Sequence, residues 1–237
     1  MKEGGVNLPP ALFIAGTDTS VGKTLVCACL LAFLHKHGIR AGYQKWVSTG
    51  SADASEDETL CRKLAPEAFL AGSPLHVPCR FSLPASPHLA AEIDHSTVDI
   101  QYIRKSFNEL RQHFPLLVVE GVGGLLVPLS RNLLLADFLS SMELPTLLVC
   151  RSGLGTINHS FLSIEAMRSR NIPLVGLIFS DEEAELDARI VADNMKTIAE
   201  MARVKVLGRL PYCPDVRQAV KEFAPIGESL LRRLISP

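Results

Sequence analysis

Ala11-Leu-Phe-Ile-Ala-Gly16, then Thr17-Asp-Thr-Ser-Val-Gly22 and Lys23-Thr24, is the stretch that decides the fold of this chain. The apolar run Ala11–Ala15 suits a strand buried on both faces, and Gly16 ends it. Residues 22–36 (GKTLVCACLLAFLHK) are too long for a strand and read as a mostly buried helix that stops before Gly38. Strand, glycine-bounded loop and helix, in that order, are the context in which Gly-Lys-Thr means a phosphate cradle. The residues Gly16, Thr17, Asp18, Thr19, Ser20, Val21, Gly22, Lys23 and Thr24 are therefore expected to bind a nucleoside triphosphate. Backbone N–H groups at the helix start face the phosphates, aided by the helix dipole. Lys23 is placed to reach the β- and γ-phosphates, and the Thr24 hydroxyl to ligate Mg²⁺. Five residues separate Gly16 from Gly22, one more than the usual G-x-x-x-x-G-K-[ST] spacing.

Outward from this loop, strand and helix patterns alternate. Strands are expected at Ile39–Lys45, Leu116–Glu120, Leu147–Cys150, Leu174–Phe179 and Val204–Leu207. Helices are expected at Asp57–Leu64, at Asp99–His113 with its stripe Ile100, Ile103, Phe107 and Leu110, and near 155–170, 184–202 and 216–234. Residues 72–88 carry four prolines and read as irregular. Continuous apolar strands alternating with helices predict an α/β fold: a single-domain doubly wound parallel sheet flanked by helices, of the P-loop NTPase type. The domain spans 1–237, with 1–10 read as a flexible N-terminal extension. In such sheets ligands gather at the carboxyl ends of the strands.

Composition agrees with an ordinary α/β protein. Hydrophobic residues make up 47%, which is enough for one sizeable core in 237 residues. The formal net charge is −1, so neither nucleic acid nor an anionic membrane is indicated as main partner. Cysteines at 27, 29, 61, 79, 150 and 213 form no C-x-x-C pair and read as small apolar fillers of a reduced protein. No apolar run is long enough for a membrane span, and the start MKEGGVNLPP lacks a signal-peptide form, so the protein is read as cytoplasmic.

Further positions could carry chemistry. Glu120 closes the strand LLVVE ahead of Gly121-Val-Gly-Gly124, well placed as a metal ligand beside the loop, and Gly123 allows close backbone approach. Asp57 lies between Glu56 and Glu58, a trio that in isolation reads as a solvated helix start. Lys45 ends its strand, and from pattern alone reads as a surface lysine. Ser86-Pro87-His88 is a turn that could start a helix.

Taken together, GTDTSVGKT at 16–24, KWVSTG at 45–50, SPH at 86–88, VVEGVGG at 118–124 and RSGLGTINH at 151–159 resemble the dethiobiotin synthetase family over nearly the whole chain. The resemblance implies an ATP- and Mg²⁺-dependent carbon–nitrogen cyclo-ligase. It would form the ureido ring of dethiobiotin from 7,8-diaminononanoate and CO₂ through a carbamate and a carbamic–phosphoric anhydride. It also implies roles residue by residue. Lys23, Lys45 and Thr19 would be catalytic, and Thr24, Asp57 and Glu120 would hold magnesium. Thr19, Lys45, Thr49, Ser86 and Pro87 would contact the substrate. Gly155, Thr156, Ile157 and Asn158 of the partner subunit in a homodimer would receive its carboxylate. Ser180 and Pro211 would fall at the nucleotide base. Two positions depart from the family pattern. Trp46 stands where proline is usual, which suggests a reshaped wall near the diamine. Ser180 stands where a base-contacting asparagine is frequent, which suggests relaxed nucleotide choice.

Two other readings share the fold. A cobyrinate-type amidoligase would carry a further glutaminase domain, for which 237 residues leave no room. A partner-binding ATPase switch would carry a lysine five residues before Lys23, where this chain has Asp18.

Overall fold

A computed structural model describes residues 8–53 and 55–235. Most of the expected N-terminal extension, residues 1–7, lies outside the described residues. The elements in chain order are β1 (Ala11–Gly16), α1 (Lys23–Lys36), β2 (Ala41–Lys45), β3 (Val47–Thr49), α2 (Glu56–Leu64), β4 (Cys79–Phe81), α3 (Pro87–Ile93), α4 (Ile100–His113) and β5 (Leu116–Glu120). They continue with β6 (Pro128–Ser130), β7 (Leu133–Leu134), α5 (Leu135–Ser140), β8 (Thr146–Arg151), α6 (Thr156–Arg168), β9 (Leu174–Ser180), α7 (Ala188–Ala202), β10 (Val206–Leu210), α8 (Val216–Glu222) and α9 (Ala224–Ile235).

The main sheet has the order β10-β9-β8-β1-β5-β2, and every pairing in it is parallel. The chain leaves the central strand β1 for the edge strand β2, returns to β5, and crosses to β8 on the other side. The order therefore reverses around β1, and the crevice at its carboxyl end is the natural ligand site. Period-two alternation sends the side chains of each strand into two cores. Phe13, Leu117, Val119, Leu148 and Phe179 pack on one face of the sheet, and Leu12, Ile14, Val118, Val149 and Ile178 on the other. The second core also takes the buried face of α1, with Val26, Cys27, Leu30 and Leu34 fully or nearly fully enclosed.

The described cysteines are all free, and five of the six are buried, as reduced fillers would be. No helix among the described residues is long and apolar enough to cross a membrane.

Three stretches differ in detail from the sequence expectation. Residues 72–88 are not wholly irregular: β4 forms there and pairs in parallel with β3. The terminal helical stretch is two helices, broken at Phe223, whose ring is fully buried. The hairpin of β6 and β7 with the short α5 was not expected, because two- and three-residue strands carry too little periodicity to read.

Candidate functional site

The loop from Gly16 to α1 is set by backbone geometry at Gly22, which has φ 90°. A Cβ there would lie 2.5 Å from the Ser180 hydroxyl, so both conformation and space require glycine. Lys23 opens α1 and is buried. Its ammonium donates to the Asp18 carbonyl at 2.7 Å, folding over the loop it belongs to. Burial, with the nearby Lys45 charge, lowers the Lys23 pKa to about 8 despite the carboxylates of Glu120 and Asp57.

Thr24, Asp57, Glu120 and Lys45 converge from four elements. The Thr24 hydroxyl lies 2.5 Å from Asp57 Oδ1 and 2.7 Å from Glu120 Oε1. The Lys45 ammonium lies 2.5 Å from Asp57 Oδ2 and 2.8 Å from Glu120 Oε1. Glu120 is fully buried, and Lys45 is 5% exposed. The pattern-based reading of Lys45 as a surface lysine is thus corrected. β2 lies beside β5 with Lys45 and Glu120 as register partners, so the two side chains share one enclosed end of the sheet. Burial opposes the Lys45 charge, but Glu120 and Asp57 outweigh it and hold its pKa above the ordinary lysine value. Asp57 is held in turn below its ordinary range, because Lys45 and the Thr24 hydroxyl overcome its own burial.

Asp57 reaches this point through α2. Ser55 caps that helix by accepting from the Glu58 N–H at 3.3 Å, and the Ser48 hydroxyl donates to Ser55 Oγ at 3.1 Å. One turn on from Asp57, the buried Cys61 seats the same helix face against the Thr24 carbonyl. Asp57 thus does lie in the first turn of a helix, as read, but it is half-buried and paired with Lys45 and Thr24 rather than left to solvent. Glu56, beside it, lines the cavity, while Glu58 pairs with Arg62 and Arg80.

A cavity of about 590 Å³ opens over this cluster. Of the residues expected at the site, it is lined by Thr19, Ser20, Gly22, Lys23, Thr24, Lys45, Thr49, Asp57, Glu120 and Gly123. It also takes Ser48, Gly50, Ser51, Pro84 and Val122, none of which the sequence singled out. Ser48 and Gly50 lie within the quoted KWVSTG segment and Val122 within VVEGVGG, so adjacency to a motif was their available signal. Ser86 and Pro87 stand at the start of α3 and Gly155, Thr156, Ile157 and Asn158 at the start of α6, outside this cavity in the single chain. Trp46 does not line it either. The ring is 1% exposed and stacks between Phe13 and Phe138, each at 4.7 Å between centroids, so the expected reshaping of the substrate wall is corrected. Phe13, against which it packs, comes within 2.9 Å of where a Cβ at Gly121 would lie, next to Glu120.

A second hollow adjoins the loop, lined among others by Thr19, Gly22, Arg151, Ser180, Glu182 and Tyr212. Asp181 is not free to read a ligand there, because Arg209 donates to both of its carboxylate oxygens at 2.6–3.0 Å. Pro211 follows β10 at this side of the sheet.

The donor set suits magnesium. Three hard oxygens, from Thr24, Asp57 and Glu120, crowd within hydrogen-bond distance, and the hydroxyl has one proton to share between two carboxylates. A small divalent cation bound through one hydroxyl and two carboxylates, with waters completing its shell, is the chemistry those oxygens fit.

Comparison with known proteins agrees with this geometry. Residues 10–220 match a family model described as an AAA domain. Curated relatives named ATP-dependent dethiobiotin synthetase BioD, from Brucella ovis and Brucella canis, are 38% identical over 212 residues, covering 86% of this chain and 87% of theirs. Among solved structures, the MinD cell division protein of Aquifex aeolicus superposes with a TM-score of 0.56 at 16% identity, covering 96% of this chain and 97% of that one. The cell division protein FtsY of Thermotoga maritima does so with 0.53 at 14% identity, covering 99% of this chain and 72% of that one. At such identities the two structures speak for the fold alone. The curated relatives speak for more, and with them the chain belongs to the ATP-dependent dethiobiotin synthetase family.

Proposed function

We propose that the chain closes the ureido ring of dethiobiotin from 7,8-diaminononanoate and CO₂, splitting ATP to ADP and phosphate. The observation that carries this reading is the joint placement of Lys23, Lys45, Thr24, Asp57 and Glu120 on one cavity beside the phosphate loop. One amine of the diamine, carboxylated by CO₂, is a carbamate. Its oxygen attacks the γ-phosphorus and ADP leaves, giving a carbamic–phosphoric anhydride. The second amine then attacks the carbonyl carbon, the ring closes, and phosphate departs.

Each residue has a task in that sequence. The loop's N–H groups and Lys23 would hold the phosphates in line. Lys45 would meet the carbamate and the transferring phosphoryl group with positive charge, where negative charge must be brought together. Thr19 and Thr49, both on the cavity wall, would hydrogen-bond the carbamate. Thr24, Asp57 and Glu120 would hold magnesium, which when bound neutralises phosphate charge. The substrate carboxylate suits the helix start at Gly155–Asn158 of the partner subunit in a homodimer, where N–H groups and the helix dipole favour an anion. The proposed setting is cytoplasmic.

The test is phosphate release measured with diaminononanoate, bicarbonate and Mg-ATP. Release that depends on the diamine, with dethiobiotin appearing in equal amount, is the expected result. Release indifferent to the diamine would sink the proposal.

A further inference from the structure

Glu120 has two carboxylate oxygens with different neighbours. Oε1 faces the cluster, where the Thr24 hydroxyl stands at 2.7 Å and the Lys45 ammonium donates at 2.8 Å. Oε2 points away from it and accepts the phenol hydroxyl of Tyr43 at 2.8 Å. Tyr43 and Lys45 are two residues apart on β2, so both project from the same face of the sheet, and β5, which carries Glu120, is the neighbouring strand. Tyr43 is fully buried and does not line the phosphate-loop cavity. Its phenol O–H is the donor of this contact and the carboxylate oxygen can only accept, so the pairing is fixed in direction. The ring is fixed by Phe69, 5.4 Å away between centroids, and the backbone by His76 Nδ1, 2.6 Å from the Tyr43 carbonyl.

We propose that Tyr43 is a positioning residue: its phenol takes up Glu120 Oε2 and so presents Oε1 alone to the divalent cation of the phosphate-loop site. This rests on the reading of Glu120 as a magnesium ligand. The physical reason is that a carboxylate with both oxygens free rotates and offers either one, or both. One strong buried donor on the far oxygen fixes the rotation before the cation arrives. Partners behind a metal ligand commonly contribute tenfold to a hundredfold in metal affinity.

The test is the pair Tyr43→Phe and Glu120→Gln in the full chain. Mn²⁺ binding is read by electron paramagnetic resonance in the presence of a non-hydrolysable ATP analogue, and analogue binding is also measured in EDTA. Tyr43→Phe keeps the ring and is expected to weaken Mn²⁺ about tenfold, leaving analogue binding in EDTA and the far-UV circular dichroism unchanged. In the Glu120→Gln background the added Tyr43→Phe change is expected to have no further effect on Mn²⁺, because the hydroxyl acts through that carboxylate. If Glu120→Gln weakens Mn²⁺ but Tyr43→Phe shifts it by less than twofold, the positioning role is overturned and the ligand role of Glu120 stands. If Glu120→Gln itself leaves Mn²⁺ unchanged, the reading beneath the inference fails. A Tyr43→Phe protein that loses analogue binding in EDTA to the same degree as Mn²⁺ would show a structural role only, and would also overturn it.

Discussion

The Lys45 ammonium donates to Glu120 Oε1 at 2.8 Å across a parallel strand pair in which the two residues are register partners. Asp57 Oδ2, 2.5 Å from the same nitrogen, completes a buried arrangement in which one cation bridges two carboxylates. Such an arrangement holds both the groups that would take a metal and the group that would meet the transferring phosphate.

Lys45→Ala is therefore expected to separate binding from chemistry. Nucleotide contacts through Gly16–Thr24 remain, so nucleotide affinity should stay within a few-fold of wild type. Turnover should fall by roughly 10²–10³, the usual loss when a preorganised charge aimed at a transition state is removed. Deleting the ammonium also leaves Glu120 and Asp57 facing each other without their shared partner. Removing one partner of a buried pair costs about 3–5 kcal/mol, and Asp57 is partly exposed, so the loss here belongs at or below the lower end. Steady-state kinetics, a fluorescent-nucleotide titration and thermal melts with and without Mg²⁺ check the three statements together. Unchanged turnover would remove Lys45 from the mechanism.

The reasons some of this was readable from sequence, and some not, lie in chain separation. Gly16–Thr24 is contiguous, so its spacing announced the phosphate site. Glu120 was legible as an acid ending an apolar strand. Lys45 was not legible as a buried group, because its burial depends on a partner 75 positions away. Asp57 required the packing of α2 on α1, which brings it to Thr24 across 33 positions. Tyr43 finds Glu120 at a separation of 77. Its only local signal is that it shares a strand face with Lys45, two residues on. Trp46 was misread for the opposite reason: a change beside a motif residue drew attention to the cavity, yet alternation along the chain turns its ring into the core with Phe13 and Phe138. The alternating strands and helices were legible because apolar runs fully buried on both faces have few other uses, whereas the β6–β7 hairpin was too short to leave a period.

Nucleotide choice is expected to be relaxed. Ser180, beside the loop, has a single hydroxyl, which lies close to Gly22 and is buried. A hydroxyl cannot offer the paired donor and acceptor of an amide. The adjacent Asp181, which could select guanine by accepting from it, is held by Arg209 instead. With neither group reading the base edge, discrimination by hydrogen bonding should be small. Turnover with ATP, CTP and GTP at matched concentrations is expected to give kcat/KM values within a hundredfold of one another. A preference for ATP of a hundredfold or more would contradict this.

His76 gives the fold a pH dependence that can be isolated. Its ring is fully buried between the β2 edge and α4. The Leu70 N–H donates to Nε2 at 2.8 Å, so that nitrogen must be unprotonated, and Nδ1 therefore carries the proton it gives to the Tyr43 carbonyl at 2.6 Å. A second proton on the ring would displace the Leu70 contact and bury a charge. Burial accordingly lowers the His76 pKa below its ordinary 6.5, despite the Tyr43 carbonyl. The folded state then binds fewer protons than the unfolded chain just below that value. The stability this provides is present above pH 6.5 and is lost as pH falls from there through the folded-state pKa. One group contributes a slope of at most about 1.4 kcal/mol per pH unit in that window. Urea unfolding of wild type and His76→Asn between pH 7.5 and 5 measures it: the wild-type curve should fall more steeply below pH 6.5 than the variant's. Carboxylates whose ordinary values are 3.8 and 4.5 enter only at lower pH, so they leave the comparison clear. Parallel slopes for the two proteins would mean that His76 accepts a proton in the folded state as readily as in the unfolded one, and that the Leu70 contact does not hold its ring neutral.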